Sequence, residues 1–173
     1  MPPALREVPY VQELQASVQS FECGTQEFEL ILSDWIKNHE CFNDVAKYGT
    51  KIWLYYSEDN QLVGYGSYGR TELKYPDPKE PRVVGIIPMI AVDSKFKGKP
   101  PGQWQDRYAS AVLRQIISVA IADGQSLLSL NVHSCNLAAI TFYERHGFSF
   151  ITKKPNREGN HRMIMVLIPQ EVN

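Results

Sequence analysis

Apolar and polar positions along the chain sort into runs with two periods. In "TQEFELILSDWIKN" (25–38), Phe28, Ile31, Leu32, Trp35 and Ile36 recur at helical spacing on one face. Thr25 is placed to cap that helix, and Glu27 suits a first turn whose N–H groups lack partners. "KIWLYY" (51–56) and "QLVGYGSYG" (61–69) are β-rich runs separated by the turn-forming "SEDN", which predicts an antiparallel hairpin. "VVGIIPMIAV" (83–92) is almost wholly apolar and predicts a central strand buried on both faces. Pro88 lies inside it. A proline donates no ladder hydrogen bond, so such a strand carries one only at a bulge or break.

"QDRYASAVLRQIISVAIADG" (105–124) is the longest helical pattern, with an apolar stripe from Ala109 to Ile121 and Gly124 as its stop. "SLLSLNVH" (126–133) alternates, with Leu128, Leu130 and Val132 facing one way and Ser129, Asn131 and His133 the other. A short helix over 137–146 follows, then strands in "FSFIT" and "HRMIMVLI" (161–168). The order predicts an α/β (α+β) fold with a mixed, mostly antiparallel sheet flanked by helices. The strands at 86–92 and 127–133 bracket the long helix, so they are expected to run parallel as a right-handed βαβ unit. "YPDPKEP" (75–81) reads as a surface loop within one domain spanning 1–173.

Composition narrows the function classes. With 43% hydrophobic and 21% charged residues, the chain is an ordinary globular one. No apolar run approaches the ~20 residues that span a bilayer, and "MPPALREVPY" has no hydrophobic signal region. Three cysteines without a close pair predict a reducing, cytoplasmic setting and no disulfide framework. His39 and Cys41 resemble half a metal site, but no second pair follows, so no metal is expected. Charge is uneven: residues 1–60 hold ten acids and four bases, and the remainder holds nine acids and fourteen bases. A basic C-terminal portion suits a phosphorylated ligand, and it suits equally two solvated faces of opposite sign.

Two stretches carry candidate chemistry. "AVDSKFKGKPPGQW" (91–104) joins a buried strand to the long helix and offers glycines, lysines and a helix N-terminus to an anion. "NLAAITFYERHGF" (136–148) sets Asn136, Ala139, Phe142-Tyr143 and Gly147-Phe148 at fixed intervals. Both resemble signatures of the GCN5-related N-acetyltransferases (GNAT), and with the order of elements the likeness covers roughly 50–170. The resemblance implies a sheet whose parallel central strands splay apart to admit acetyl-CoA as acyl donor. It implies that Ile90, Ala91 and Val92 pair with the pantetheine arm. Lys97, Gly98, Lys99, Gly102 and Gln103 would hold the pyrophosphate, and Asn136 and Ala139 would line the cofactor arm. Tyr143 would sit beside the thioester sulfur as the general acid. The loop departs from the family pattern at Pro100, which removes an N–H donor.

The implied reaction is direct attack of a primary amine on the thioester. A phenol stays protonated at neutral pH and can supply a proton to the leaving thiolate. No base is evident; His133, at a strand end, titrates in the right range. "FECGTQEFELIL" (21–32) further resembles the entry of toxin-type members, which acetylate aminoacyl-tRNA; Phe21, Cys23, Gly24 and Leu32 match. Read from its residues alone, Cys23-Gly24 is favoured as a turn before the helix. The acceptor is thus left open among a small-molecule amine, a protein amine and aminoacyl-tRNA. A catalytically inactive acyl-CoA-binding module is the other reading. A homodimer and an antitoxin partner also stay open.

Overall fold

The computed structural model describes residues 4–97 and 107–167. They form β1 (Arg6–Pro9), β2 (Lys51–Tyr56), β3 (Leu62–Leu73), β4 (Arg82–Ile87), β5 (Ile90–Val92), β6 (Leu127–His133), β7 (Ser149–Phe150) and β8 (Asn160–Val166). The α-helices are α1 (Glu27–Lys37), α2 (Glu40–Tyr48), α3 (Arg107–Ala122) and α4 (Leu137–Arg145). Short 3-10 turns span Gln12–Val18 and Ser94–Phe96. The fold is mixed α/β, with mostly antiparallel strands and, among the described residues, one parallel pair. The chain divides into two compact units, Met1–Ser67 with Met89–Ile116, and Tyr68–Pro88 with Ile117–Asn173.

In the first unit, β1 runs antiparallel to β2 and β5 antiparallel to β3. The β5 register is Gly64 with Val92, Tyr65 with Ala91 and Gly66 with Ile90. Gly64 is required there, since a Cβ would lie 2.3 Å from the Ala91 carbonyl oxygen. The core gathers around Tyr65. Trp35 stacks on it at 5.7 Å, Phe21 meets it edge-on at 5.4 Å, and its hydroxyl donates to the Leu32 carbonyl at 2.7 Å. This satisfies the one polar atom that a buried tyrosine brings inside.

In the second unit, β3 pairs antiparallel with β4, β6 with β8, and β7 with β8. Beside them, β4 and β6 run parallel, through Gly85 with Leu128, Ile86 with Ser129 and Ile87 with Leu130. Tyr68 donates to the Asp123 carboxylate at 2.6 Å, and Arg70 Nε donates to the same oxygen at 2.8 Å. That cluster fixes the end of α3 on β3.

Several expectations need correction. The apolar run 83–92 is two strands, because Pro88 breaks the ladder; Ser67 Oγ fills the break by donating to the Met89 carbonyl at 2.6 Å and accepting its N–H at 2.8 Å. The strand buried on both faces is β3 over 63–69, whereas Val83 in β4 is 60% exposed. α1 is capped by Gln26 and not by Thr25. Its buried stripe turns toward Ser33, leaving Ile31 55% exposed, because segment 22–24 packs there and Ser33 Oγ accepts the Cys23 N–H at 3.1 Å. β1, the 3-10 turn at Gln12–Val18 and α2 come as additions. α2 is held by Trp35 Nε1 donating to Asp44 at 2.9 Å and ends on Gly49 at φ +65°.

Candidate functional site

β5 ladders to β3 within the first unit, among the described residues, and no strand takes its other edge. In the second unit, the parallel pairing of β6 stops at Leu130, while Asn131 to His133 continue beside β8 alone. Ile90 is half-buried, and Ala91 and Val92 are buried. A buried stretch of backbone with an unladdered edge is the feature that an extended, amide-bearing ligand arm can pair with.

The segment after β5 runs through Asp93 into the 3-10 turn Ser94–Phe96. Asp93 is 3% exposed, and its carboxylate accepts the backbone N–H of Glu22 at 3.2 Å and of Lys95 at 3.0 Å. Lys97 Nζ donates to Glu29 at 2.8 Å and to the Cys23 carbonyl. The sequence offers Lys97 to a phosphate; in the structure it faces a carboxylate. Gly98, Lys99, Gly102 and Gln103 lie outside the described residues.

The 136–148 motif folds as a self-closing helix within the second unit. Asn136 Oδ1 accepts the Ala139 N–H at 3.2 Å, so its carbonyl is the N-cap of α4. Gly147 turns the chain at φ +94°, and Phe148 N donates to the Tyr143 carbonyl at 3.0 Å. Tyr143 is 9% exposed, with its ring edge-on to Phe148 at 5.6 Å. Burial pushes its phenol above the ordinary value, so it holds its proton across the neutral range. Asn136, Tyr143, Gly147 and Phe148 thus each have a capping, packing or turning task within this motif.

The polar face of β6 is largely engaged. Ser129 is fully buried and donates to the Gly85 carbonyl at 3.2 Å. Asn131 Oδ1 accepts Arg162 Nε at 2.8 Å. His133 Nδ1 accepts the Cys135 N–H at 3.2 Å, which places the proton of a neutral ring on Nε2.

Cys41 is buried and its thiol is pushed up to about 11 by burial, with Sγ donating to the Asn38 carbonyl at 3.2 Å. Among the described residues no group of three His, Cys, Asp or Glu side chains is arranged to hold a metal ion, and no helix is long and apolar enough to cross a membrane. Sequence reasoning missed Glu29 and Asp93 as organisers of the 93–97 segment. A signal was present, because Gln26 and Glu29 have capping-box spacing two residues after a glycine.

No curated protein sequence matches the chain. Solved structures do. A bacterial toxin superposes with a TM-score of 0.71 at 15% identity, covering 95% of this chain and 92% of that one. A mutant AtaT toxin bound to the C-terminus of the antitoxin AtaR and acetyl-CoA gives 0.65 at 16% identity, covering 94% and 93%. The PaiA N-acetyltransferase of Thermoplasma acidophilum in complex with coenzyme A gives 0.66 at 10% identity, covering 94% and 99%. At such identities these likenesses show the fold. A sequence profile described as "Acetyltransferase (GNAT) family" matches residues 11–148, and the chain belongs to that family.

Proposed function

We propose that the chain is an acetyl-CoA-dependent N-acetyltransferase that transfers the acetyl group directly to a primary amine. The observation that carries this reading is the family match across 11–148, which includes both β5 and the Asn136-to-Phe148 segment. The unladdered edge of β5 takes the amides of the pantetheine arm. Gly98, Lys99, Gly102 and Gln103 take the diphosphate, and Asn136 and Ala139 line the arm. The amine nitrogen forms its bond to the thioester carbon as the carbon–sulfur bond breaks. The amine proton leaves through solvent.

Tyr143 serves the departing sulfur. An ordinary phenol is about 1.5 pK units less acidic than an ordinary thiol, so donation to free thiolate is uphill by roughly 2 kcal/mol. Burial raises the phenol further, but a thiolate formed in the same low-dielectric surroundings is raised as well. The difference between the two sets the cost, and a proton shared as the sulfur departs keeps it small. This supports Tyr143 as the acid.

A second reading is favoured by one specific observation: toxins stand among the structural neighbours, one of them bound to its antitoxin. Together with Phe21, Cys23 and Gly24, this supports aminoacyl-tRNA as the acceptor and a small antitoxin as partner. The buried thiols of Cys23 and Cys41 suit a reducing cytoplasm. The test is an acceptor screen that follows CoA release from acetyl-CoA with small amines, peptide amines and charged tRNA. Turnover with any of them supports the enzyme and names its acceptor class. Binding of acetyl-CoA without turnover on any acceptor leaves a binding module, and no binding removes the reading.

A further inference from the structure

Arg162 is a cation whose needs the second unit meets only in part. It stands on β8 opposite Asn131 on β6, and strand alternation puts both on the face that also carries His133 and Asn160. Asn131 is the first β6 residue beyond the parallel pairing with β4, which stops at Leu130. Arg162 Nε donates to Asn131 Oδ1 at 2.8 Å, whereas Nη1 is buried and donates to nothing among the described residues. No carboxylate pairs with the guanidinium among those residues, and burial pushes it below its ordinary value. An arginine stays charged all the same. A buried donor without an acceptor, on a cation without an anion, is costly to keep unless a ligand supplies both. Arg162 is half-buried and Asn131 exposed, so solutes reach the pair.

The neighbouring loop carries the same sign. Residues 151–162 hold Lys153, Lys154, Arg157 and Arg162 against Glu158 alone. Lys153, Lys154 and Arg157 are exposed. The loop that bears them is held in place: Asn156 Oδ1 accepts the N–H of Glu158 at 3.0 Å and of Asn160 at 2.9 Å, and the Gly159 carbonyl accepts the Ser134 N–H at 2.8 Å. Gly159 sits at φ +82°, where a Cβ would lie 2.9 Å from His133 Nε2, so the loop closes on the end of β6. We infer that Arg162 is a specificity-determining residue: its guanidinium takes an oxyanion, a carboxylate or a phosphate, that the acceptor carries beside its amine. The inference rests on the acetyltransferase reading above, in which the sheet opens beside β6. The planar fork of Nη1 and Nη2 matches two oxygens of such a group, and Asn131 fixes its plane by holding Nε. The charged loop raises the local concentration of anions at that fork.

The test has two arms, both on the full chain. In the first, inorganic phosphate and acetate are titrated at constant ionic strength while the arginine Nε–Hε resonances are followed by NMR. The Arg162 signal is identified by its loss in Arg162→Lys. We expect it to move saturably; tighter response to phosphate assigns a phosphate-bearing acceptor, and tighter response to acetate a carboxylate. A signal unmoved by either anion overturns the inference, whatever the protein does with acetyl-CoA. In the second arm, CoA release is measured with matched amines, ethanolamine against phosphoethanolamine and propylamine against β-alanine. Wild type should favour the charged member of at least one pair by about 10- to 100-fold in kcat/KM, the size of one charge-assisted hydrogen bond. Arg162→Met should bring that ratio close to one, and Arg162→Lys, which keeps the charge without the fork, should retain part of it. A merely structural role would lower both members of a pair alike and leave the ratio standing, which overturns the inference. Saturable anion binding at Arg162 with no CoA release from any pair counts against the acetyltransferase reading and not against the anion site.

Discussion

Gly64→Ala puts the β5 assignment under direct strain. The added Cβ would lie 2.3 Å from the Ala91 carbonyl oxygen and 3.1 Å from Val92 Cα, both backbone atoms. Neither can swing aside as a side-chain end does, so β5 must move away from β3 by about 1 Å to restore an ordinary contact. Overpacking of this kind costs about 1–3 kcal/mol. For a chain of this length that lowers Tm by roughly 3–10 °C. The displaced residues are those proposed to pair with the pantetheine arm, so acetyl-CoA affinity should fall as well, by more than tenfold. The control is Gly49→Ala in the same unit. Gly49 has φ +65° and nothing within 4 Å of an added Cβ, so it carries backbone strain alone, about 1–2 kcal/mol. Thermal melts and calorimetric titration with acetyl-CoA give both quantities. If Gly64→Ala loses no more affinity than Gly49→Ala at equal loss of stability, β5 is not the edge that binds the donor.

Further outcomes follow from the two units. Asp123→Asn removes the charge that Tyr68 and Arg70 share and should cost about 1 kcal/mol, at the low end because the ion pair is largely solvated. The Arg70 guanidinium and the Tyr68 hydroxyl hold Asp123 well below the usual carboxylate range. Its stabilisation is therefore present above pH about 4 and lost as pH falls below that, a slope that melts of the Asn variant should lack. Of the three thiols, Cys23 and Cys41 are buried and pushed up by burial, whereas Cys135 is exposed. A thiol reagent should modify one cysteine in the native protein and three in denaturant; rapid native modification of two would contradict the burial.

The sequence showed elements wherever one residue type imposes a local rule. Pro88 marked the strand break, Gly124 the end of α3, and the β-branched and aromatic run 51–56 is β2 to the residue. It concealed elements whose stability comes from distant partners. β1 is four residues long, ends in a proline and is held through its pairing with β2, some 45 residues away. Within α2 only Cys41 is buried, so no stripe announces it. The site divides in the same way. Asn136 as a cap and Gly147 as a turn follow from spacing within one helix. The Lys97–Glu29 pair joins residues 68 apart in the chain, so it is invisible when only the neighbours of Lys97 are read.

The central claim is that the Tyr143 phenol protonates the sulfur that leaves acetyl-CoA. The direct measurement is the single-turnover rate of CoA release for wild type and Tyr143→Phe at saturating acetyl-CoA, with donor affinity measured alongside. The account predicts a loss of about 100-fold in rate with unchanged affinity, since the variant removes one hydroxyl from a buried ring and leaves its packing in place. Equal rates, or a rate loss matched by an equal loss of donor binding, would contradict it.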